Sequence, residues 1–292
     1  MTPAESPTRN PGALKAAGLV IMAMFLIVIS DAAGKELTAT GFEPLFVAWV
    51  RFALGALLVL PLSGLIWSEL ALLRDWRLWL RAALIVGGIG FILTALRTEP
   101  IANVFGGFFI SPVAAFVLSA LLLGERVTVA RAVLLAVGFA GVLLVVKPGF
   151  GMRPGMGFAV LAGCCHGGYL VATRWVAGEM RPRFLVLSQL MIGALILAAP
   201  GLATLPAAVD TRDMALLSFS AAGSALGNVL LVLAARVLPA GLIAPLIYSQ
   251  LVSAMIVGFA AFGEFPDGLA LAGIAIILAT GAGSLWYGAR GR

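Results

Sequence analysis

The chain has 292 residues, of which 62% are hydrophobic and only 11% charged, with a mean hydropathy of +1.10. No soluble domain of this length has interior enough to hide that much apolar side chain, so lipid is the solvent for most of it. The net charge of +6 sits in short turns between apolar runs, which points to membrane topology rather than to a nucleic-acid partner.

Residues 1–13 are polar and rich in Pro and Thr, the composition of a disordered tail. A hydrocarbon core about 30 Å thick needs roughly 20 apolar residues per helix. Such runs fall at 14–35, 44–63, 80–97, 100–122 and 127–146, and again at 155–177, 184–203, 214–235, 239–262 and 268–287. The first ends in Asp31-Ala32-Ala33-Gly34, superficially a signal-peptidase site, but it is too long for a signal segment and many spans follow it. The reading is an all-α integral membrane protein of about ten transmembrane helices. Five lie in 14–148 and five in 149–288, with cytoplasmic tails at 1–13 and 289–292.

The two halves say nearly the same thing at an offset of 239 − 100 = 139 positions. Ala95-x-Arg97-x-x-Pro100 recurs as Ala234-x-Arg236-x-x-Pro239, Gly124-Glu125 as Gly263-Glu264, Pro61 as Pro200 and Gly18 as Gly157. Matches of Pro, Arg and Glu in register are costly to obtain by chance, so the chain is an internal duplication. Five crossings per copy is an odd number, which makes the second copy enter the membrane from the opposite side. The halves are then inverted repeats, the construction of many transporters. With the N-terminus inside, Arg9, Lys15, Arg74, Arg77, Arg81, Arg126, Arg131, Arg174, Arg181, Arg183, Arg236, Arg290 and Arg292 fall on the cytoplasmic side, against Lys35, Arg97, Lys147, Arg153 and Arg212 outside. The positive-inside rule therefore places both termini in the cytoplasm.

Polar side chains within the spans each need a reason. His166 lies near the middle of the sixth helix with Tyr169 and Thr173 on its face. It either lines a cavity, where it would donate to a substrate carboxylate or titrate during transport, or bonds a neighbouring carbonyl as a structural residue. Asn103, Gly107 and Ser111 share a face of the fourth helix, and Asn228, Tyr248, Ser249 and Gln250 are the second half's polar counterparts. Amides suit a zwitterion because they offer donor and acceptor together, and they equally suit helix-to-helix bonding. Tyr248 brings an aromatic ring with a polar tip, as sites for amphipathic ligands often do. Arg51 is read as pairing with Asp31 across the first two helices, and Asp31 and Lys35, four apart, also stand ready to hold each other. An Asp31 facing the cavity would instead favour cations. Glu125 and Glu264 are read as capping or loop contacts. Trp67, Trp76, Trp79 and Trp286 flank spans as an interfacial belt, while Trp49 and Trp175 stand outside that explanation. Adjacent Cys164 and Cys165 and a single histidine give no metal-ligand spacing, and no phosphate-binding loop or nucleophile motif is present, so neither cofactor, metal nor catalysis is expected.

The repeated Gly-Glu closing an apolar helix, Leu122-Leu123-Gly124-Glu125-Arg126 and Phe262-Gly263-Glu264-Phe265-Pro266, with Ser111-Pro112 before it and Gly138-x-x-Gly141 or Gly273 after it, resembles the EamA repeat of the drug/metabolite transporter superfamily. Arg51, in Trp49-Val50-Arg51-Phe52, matches an arginine often seen in that family. The resemblance spans residues 14–288 and has one departure, Leu251 where the second repeat often has Pro. It implies a ten-helix carrier working by alternating access, with a cavity lined by the first, third, fourth, sixth, eighth and ninth helices. Members carry amino acids, nucleosides, S-adenosylmethionine, polyamines, organic cations or sugar nucleotides. Among bacterial members the amino-acid and metabolite exporters of the YddG type are the preferred comparison.

The expected function is export of amino acids or similar small metabolites across a bacterial inner membrane, with small-molecule substrate and lipid as the partners. The alternatives are a multidrug or organic-cation exporter or a carrier of the S-adenosylmethionine type. An enzyme or a scaffold is the rival of a different class, and neither has a visible site.

Overall fold

The computed structural model describes residues 11–124, 129–148, 152–176, 178–235, 237, 243 and 246–290, and the described residues are helical throughout their regular structure. In chain order they form α1 (Pro11–Ala39), α2 (Pro44–Ser63), a 3-10 helix (Trp67–Arg74), α3 (Trp76–Leu96), α4 (Ile101–Phe108), α5 (Ser111–Leu123) and α6 (Val129–Val146). The second half gives α7 (Pro154–Val176), α8 (Pro182–Ala203), α9 (Thr211–Ala235), α10 (Ser249–Phe262) and α11 (Gly268–Arg290). Among the described residues, seven stretches are long and apolar enough to cross a membrane, α4 and α5 counting together as one, Ile101–Leu122. Three shorter apolar helices, Ala132–Val146, Ser249–Phe262 and Gly268–Gly283, accompany them.

Helix ends follow local chemistry. Proline opens α2 and α8 at their first positions, where its missing N–H goes unpaired in any case. Gly64, Gly124 and Gly263 close α2, α5 and α10 in the left-handed conformation, at φ of 58°, 64° and 64°. The fourth predicted span, 100–122, is a single run in the sequence but is interrupted at Phe109–Ile110. Pro112 is the cause: it has no N–H to offer Phe108, and its ring crowds that carbonyl. The freed Phe108 oxygen packs on α7 at Gly163, where a Cβ would stand 2.4 Å from it. The same break separates Ser111 from Asn103 and Gly107, which no longer share one uninterrupted helix.

The halves pack helix against helix across the repeat boundary: α1 on α9, α3 on α7, α2 on α8, α6 on α11, and α4 between α7 and α10. Exchanging each helix for its counterpart in the other half turns the α1–α9 pairing into α7–α3 and leaves α2–α8 and α6–α11 unchanged. The buried core is built round α4, whose Val104 and Phe105 meet Val28 of α1, Leu96 of α3, Val142 and Val145 of α6, Ala159 of α7, Leu251 of α10 and Ile274 of α11 in one cluster.

Small residues let these backbones approach. Phe52 packs on Gly193 and Trp49 on Gly201 across α2 and α8, which accounts for Trp49. Trp175 meets Trp76 edge-on, with ring centroids 5.4 Å apart, beneath the Arg77 guanidinium. At the α6–α11 crossing a Cβ on Gly141 would lie 2.8 Å from the Gly273 carbonyl oxygen, and one on Gly273 would lie 2.5 Å from that of Gly141. Gly18 of α1, by contrast, faces open space. Gly141→Ala is therefore expected to destabilise the protein by about 1–3 kcal/mol through overpacking. Gly18→Ala should be neutral or stabilising by up to about 1 kcal/mol from helix propensity. Thermal melting in detergent distinguishes the two, and an unaltered melting temperature for Gly141→Ala would remove the close crossing from the account.

Candidate functional site

Two polar clusters lie among the apolar helices. The first gathers where α1 ends and the α3–α4 turn meets the loop between α10 and α11. Asp31 of α1 and Arg51 of α2 form an ion pair at 2.5 Å, with side chains only 5% and 4% exposed. The expected Asp31–Arg51 pairing is thus present, and the Asp31 charge is already matched. Arg51 keeps its Nε buried and without a partner.

Lys35, one turn further along α1, pairs with the Glu264 carboxylate rather than with Asp31. Its ammonium also donates to the Glu99 carbonyl oxygen at 2.7 Å and lies 5.1 Å from the Phe262 ring centroid. The other Glu264 oxygen accepts from the Ile101 N–H at 3.0 Å, at the first turn of α4. An anion there satisfies an otherwise orphaned donor and complements the helix dipole. Glu264 is therefore a cap, as its sequence position suggested, but it caps a helix of the other half. Glu125 lies outside the described residues. The Glu99 side chain, buried in the α3–α4 turn, has Arg153 at 4.0 Å, and burial pushes its carboxyl above the usual carboxylate range against the pull of that arginine.

The second cluster joins α3, α5, α7 and α8. Ser111 Oγ and His166 Nδ1 share a hydrogen bond of 2.8 Å, and the imidazole packs 4.9 Å from Phe108 and 5.8 Å from Tyr169 between ring centroids. His166 thus bonds a side chain rather than a backbone carbonyl. The Tyr169 hydroxyl donates to Gln189 Oε1 at 2.8 Å and accepts from Arg81 Nη2 at 2.9 Å. Arg81 further donates to Thr173 Oγ1, the Leu185 carbonyl oxygen and Gln189 Oε1, at 2.8, 2.7 and 2.7 Å, and stacks 4.8 Å from the Tyr169 ring. It is only 2% exposed, and no carboxylate pairs with it among the described residues.

Sequence reasoning missed Arg81 and Gln189. Arg81 counts among the cytoplasmic-side charges at the start of the span expected over 80–97, whereas α3 begins at Trp76 and carries it inside the bundle. Gln189 stood in plain view as a lone amide in Leu187-Ser188-Gln189-Leu190, where the rule for polar groups in lipid would have found it.

The remaining candidates are dispersed. Tyr248 stacks 5.0 Å from Phe109 and packs on Gly281. With Phe116, Ser119, Leu170, Arg174 and Thr280 it lines a mostly apolar cavity of about 280 Å³. Asn103 Oδ1 is buried without a partner, an unmet acceptor in the centrally placed α4. Asn228 Nδ2 donates at 2.8 Å to the Ser224 carbonyl of its own helix, and Ser249 Oγ donates to the Leu246 carbonyl at 2.6 Å. Gln250 is buried in α10. Among the described residues no three His, Cys, Asp or Glu side chains converge to hold a metal ion.

The sequence profile of the EamA-like transporter family matches residues 14–147 and, a second time, 153–285. The chain belongs to the EamA-like transporter family. It is therefore a multi-pass membrane transporter of the drug/metabolite superfamily, and the family's members are transporters rather than enzymes. A crystal structure 21% identical in sequence matches 94% of this transporter and 98% of its own chain with a TM-score of 0.63, a likeness of fold. No curated protein matches the sequence.

The ion pair inside this EamA transporter sets a clear expectation. Asp31→Asn strands the Arg51 charge and should cost about 3–5 kcal/mol, whereas Asp31→Asn combined with Arg51→Met should recover most of that loss. Melting of the purified variants in detergent reads the difference. Equal stability of the single and double variants would show that the pair carries no weight.

Proposed function

We propose that this transporter exports small metabolites bearing a carboxylate, amino acids first among them, across a bacterial inner membrane with both termini in the cytoplasm. The observation that carries this reading is Arg81, a buried guanidinium whose acceptors are all neutral. Neutral acceptors satisfy its N–H groups but leave its charge unmatched, and an anion able to accept from the same fork would gain strongly in a low-dielectric site. Gln189 and Tyr169 both accept from Nη2 and Thr173 from Nε, so a substrate carboxylate displacing them would take two parallel bonds from Nη2 and Nε. His166 and Ser111 then lie one ring away to meet the rest of the solute. An organic-cation exporter is the weaker reading, because the carboxylate it would use, Asp31, is neutralised by Arg51. Among family members, the amino-acid exporters of the YddG type are the comparison this reading favours.

The mechanism that fits is alternating access by two inverted halves. Support comes from the odd number of crossings read in each repeat and from a helix pairing that survives exchange of the halves.

Flux into liposomes tests the substrate. A labelled amino acid should be carried at least about tenfold faster than its amide, a difference of about 1.4 kcal/mol in transition-state stabilisation. Arg81→Gln should abolish that preference while Arg81→Lys retains part of it. Equal flux of acid and amide through the unaltered protein, or transport confined to organic cations, would refute the assignment.

A further inference from the structure

We infer that the cleft between α6 and α7 is a phospholipid site, which takes one acyl chain along its length and the phosphate of an anionic headgroup on Arg153 at its end. The cleft has a volume of about 550 Å³. Val142 and Val146 of α6, Phe158 and Leu161 of α7, and Ile110 at the interruption between α4 and α5 line it, and no lining residue carries a polar side chain. A polar solute finds nothing there to fix its orientation, which sets the cleft apart from the Arg81 cluster. Phe139, Leu143, Phe158 and Leu161 are exposed along it although they belong to apolar helices, so in the bilayer the cleft faces hydrocarbon. Its walls are preformed. Phe158 stacks on Phe91 of α3 with ring centroids 6.0 Å apart, and Val142 and Val146 belong to the central core.

Length and charge choose the occupant. From Phe139 to Val146 α6 rises roughly 11 Å, at about 1.5 Å per residue. The hydrocarbon of one leaflet is about 15 Å deep, half of a core about 30 Å thick. The cleft thus runs from the adjoining ends of α6 and α7 to the interruption at Ile110, most of the depth that a single acyl chain traverses. Arg153 marks its outer limit. It falls just before α7, between Met152 and Pro154, both of which line the cleft. Its side chain is 68% exposed, and the one acidic group paired with it among the described residues, the buried Glu99, stands off at 4.0 Å. Lys147, at the end of α6, is already held by Asp267. An arginine at headgroup level attracts anionic lipid, and its fork can donate two parallel bonds to a phosphate. Phosphatidylglycerol, whose phosphodiester has no cation of its own, answers that charge better than phosphatidylcholine, whose ammonium competes for the same phosphate. The site involves none of the groups assigned to the solute and stands whichever solute is carried.

Photolabelling tests the site without any transport measurement. The protein is reconstituted in phosphatidylcholine vesicles carrying a small share of phosphatidylglycerol with a diazirine midway along one acyl chain, and the labelled residues are mapped by mass spectrometry. Leu195 and Phe219, exposed on α8 and α9 at a like depth from the same end of the bundle, serve as references. Phe139, Leu143, Phe158 and Leu161 should take up label at least about fivefold more densely than these, and about fivefold more than from a phosphatidylcholine probe bearing the same chain. Arg153→Gln should bring phosphatidylglycerol labelling of the cleft down to the phosphatidylcholine level. Gly157 lines the cleft, and a Cβ there meets only the Met152 terminal methyl, at 3.6 Å. Gly157→Phe should therefore fill the cleft and abolish its labelling by both probes, while Leu195 and Phe219 are labelled as before. Cleft and references labelled alike would make the cleft ordinary lipid-facing surface and overturn the site, as would undiminished cleft labelling in well-folded Gly157→Phe. Equal labelling by the two probes in the unaltered protein, or a preference that survives Arg153→Gln, overturns the headgroup assignment and the proposal with it. Cleft labelling that fades as the protein-to-lipid ratio rises, with a dimer trapped by cross-linking, would seat a second copy there and overturn the proposal equally.

Discussion

A charge that leaves water must be met by an opposite charge or by a shell of dipoles, and the polar interior of this transporter is organised by that demand. The two solutions stand side by side. Asp31 and Arg51 meet as ions between α1 and α2, whereas Arg81 is surrounded by a hydroxyl, a phenol, an amide and a backbone carbonyl drawn from α7 and α8. The first arrangement is closed, because neither charge is left to attract a solute. The second satisfies every bond it makes and still leaves a positive charge unanswered. That difference, more than the number of polar residues, separates a structural clasp from a place where an anion would gain by binding.

The scaffold around these groups is held by close approach of backbones. Lipid offers helices no hydrophobic incentive to associate, so fit and small residues must supply it. Glycines recur wherever helices of the two halves cross: Gly193 and Gly201 beneath Phe52 and Trp49, Gly163 and Gly167 against the break between α4 and α5, Gly141 against Gly273. The glycine content of the chain thus encodes helix contacts.

The duplication, the family and most of the helices were legible because each depends on a long-range sequence pattern that composition cannot imitate. The Asp31–Arg51 pair was legible for a related reason, since lone charges in neighbouring spans have few ways to be satisfied. What escaped was local or three-dimensional. The interruption at Phe109–Ile110 was written in Pro112, but hydropathy runs straight through it. Lys35 offered Asp31 at four residues' distance, and the choice of Glu264, 229 residues away, is settled only by how the two halves meet. Arg81 was misplaced because a run of Trp and Arg at a helix start reads as interface, and one turn of helix separates interface from interior. Asn228 looked like a site residue and bonds its own helix, an outcome that no pattern in the sequence distinguishes from lining a cavity.

The break before Pro112 has a mechanical consequence. Flexing an ordinary helix in lipid strains backbone bonds that have nothing to replace them, but here the proline has already removed the bond that flexure would stretch. α4 is accordingly free to tilt relative to α5 at low cost. The matching position in the other half is Leu251, whose N–H reaches the Tyr248 carbonyl three residues back at 3.1 Å rather than the fourth-residue carbonyl of a continuous helix, so the chain is interrupted there as well, just before α10. The two halves are therefore jointed at matching points, with a proline just beyond the joint in the first half and a leucine at that place in the second.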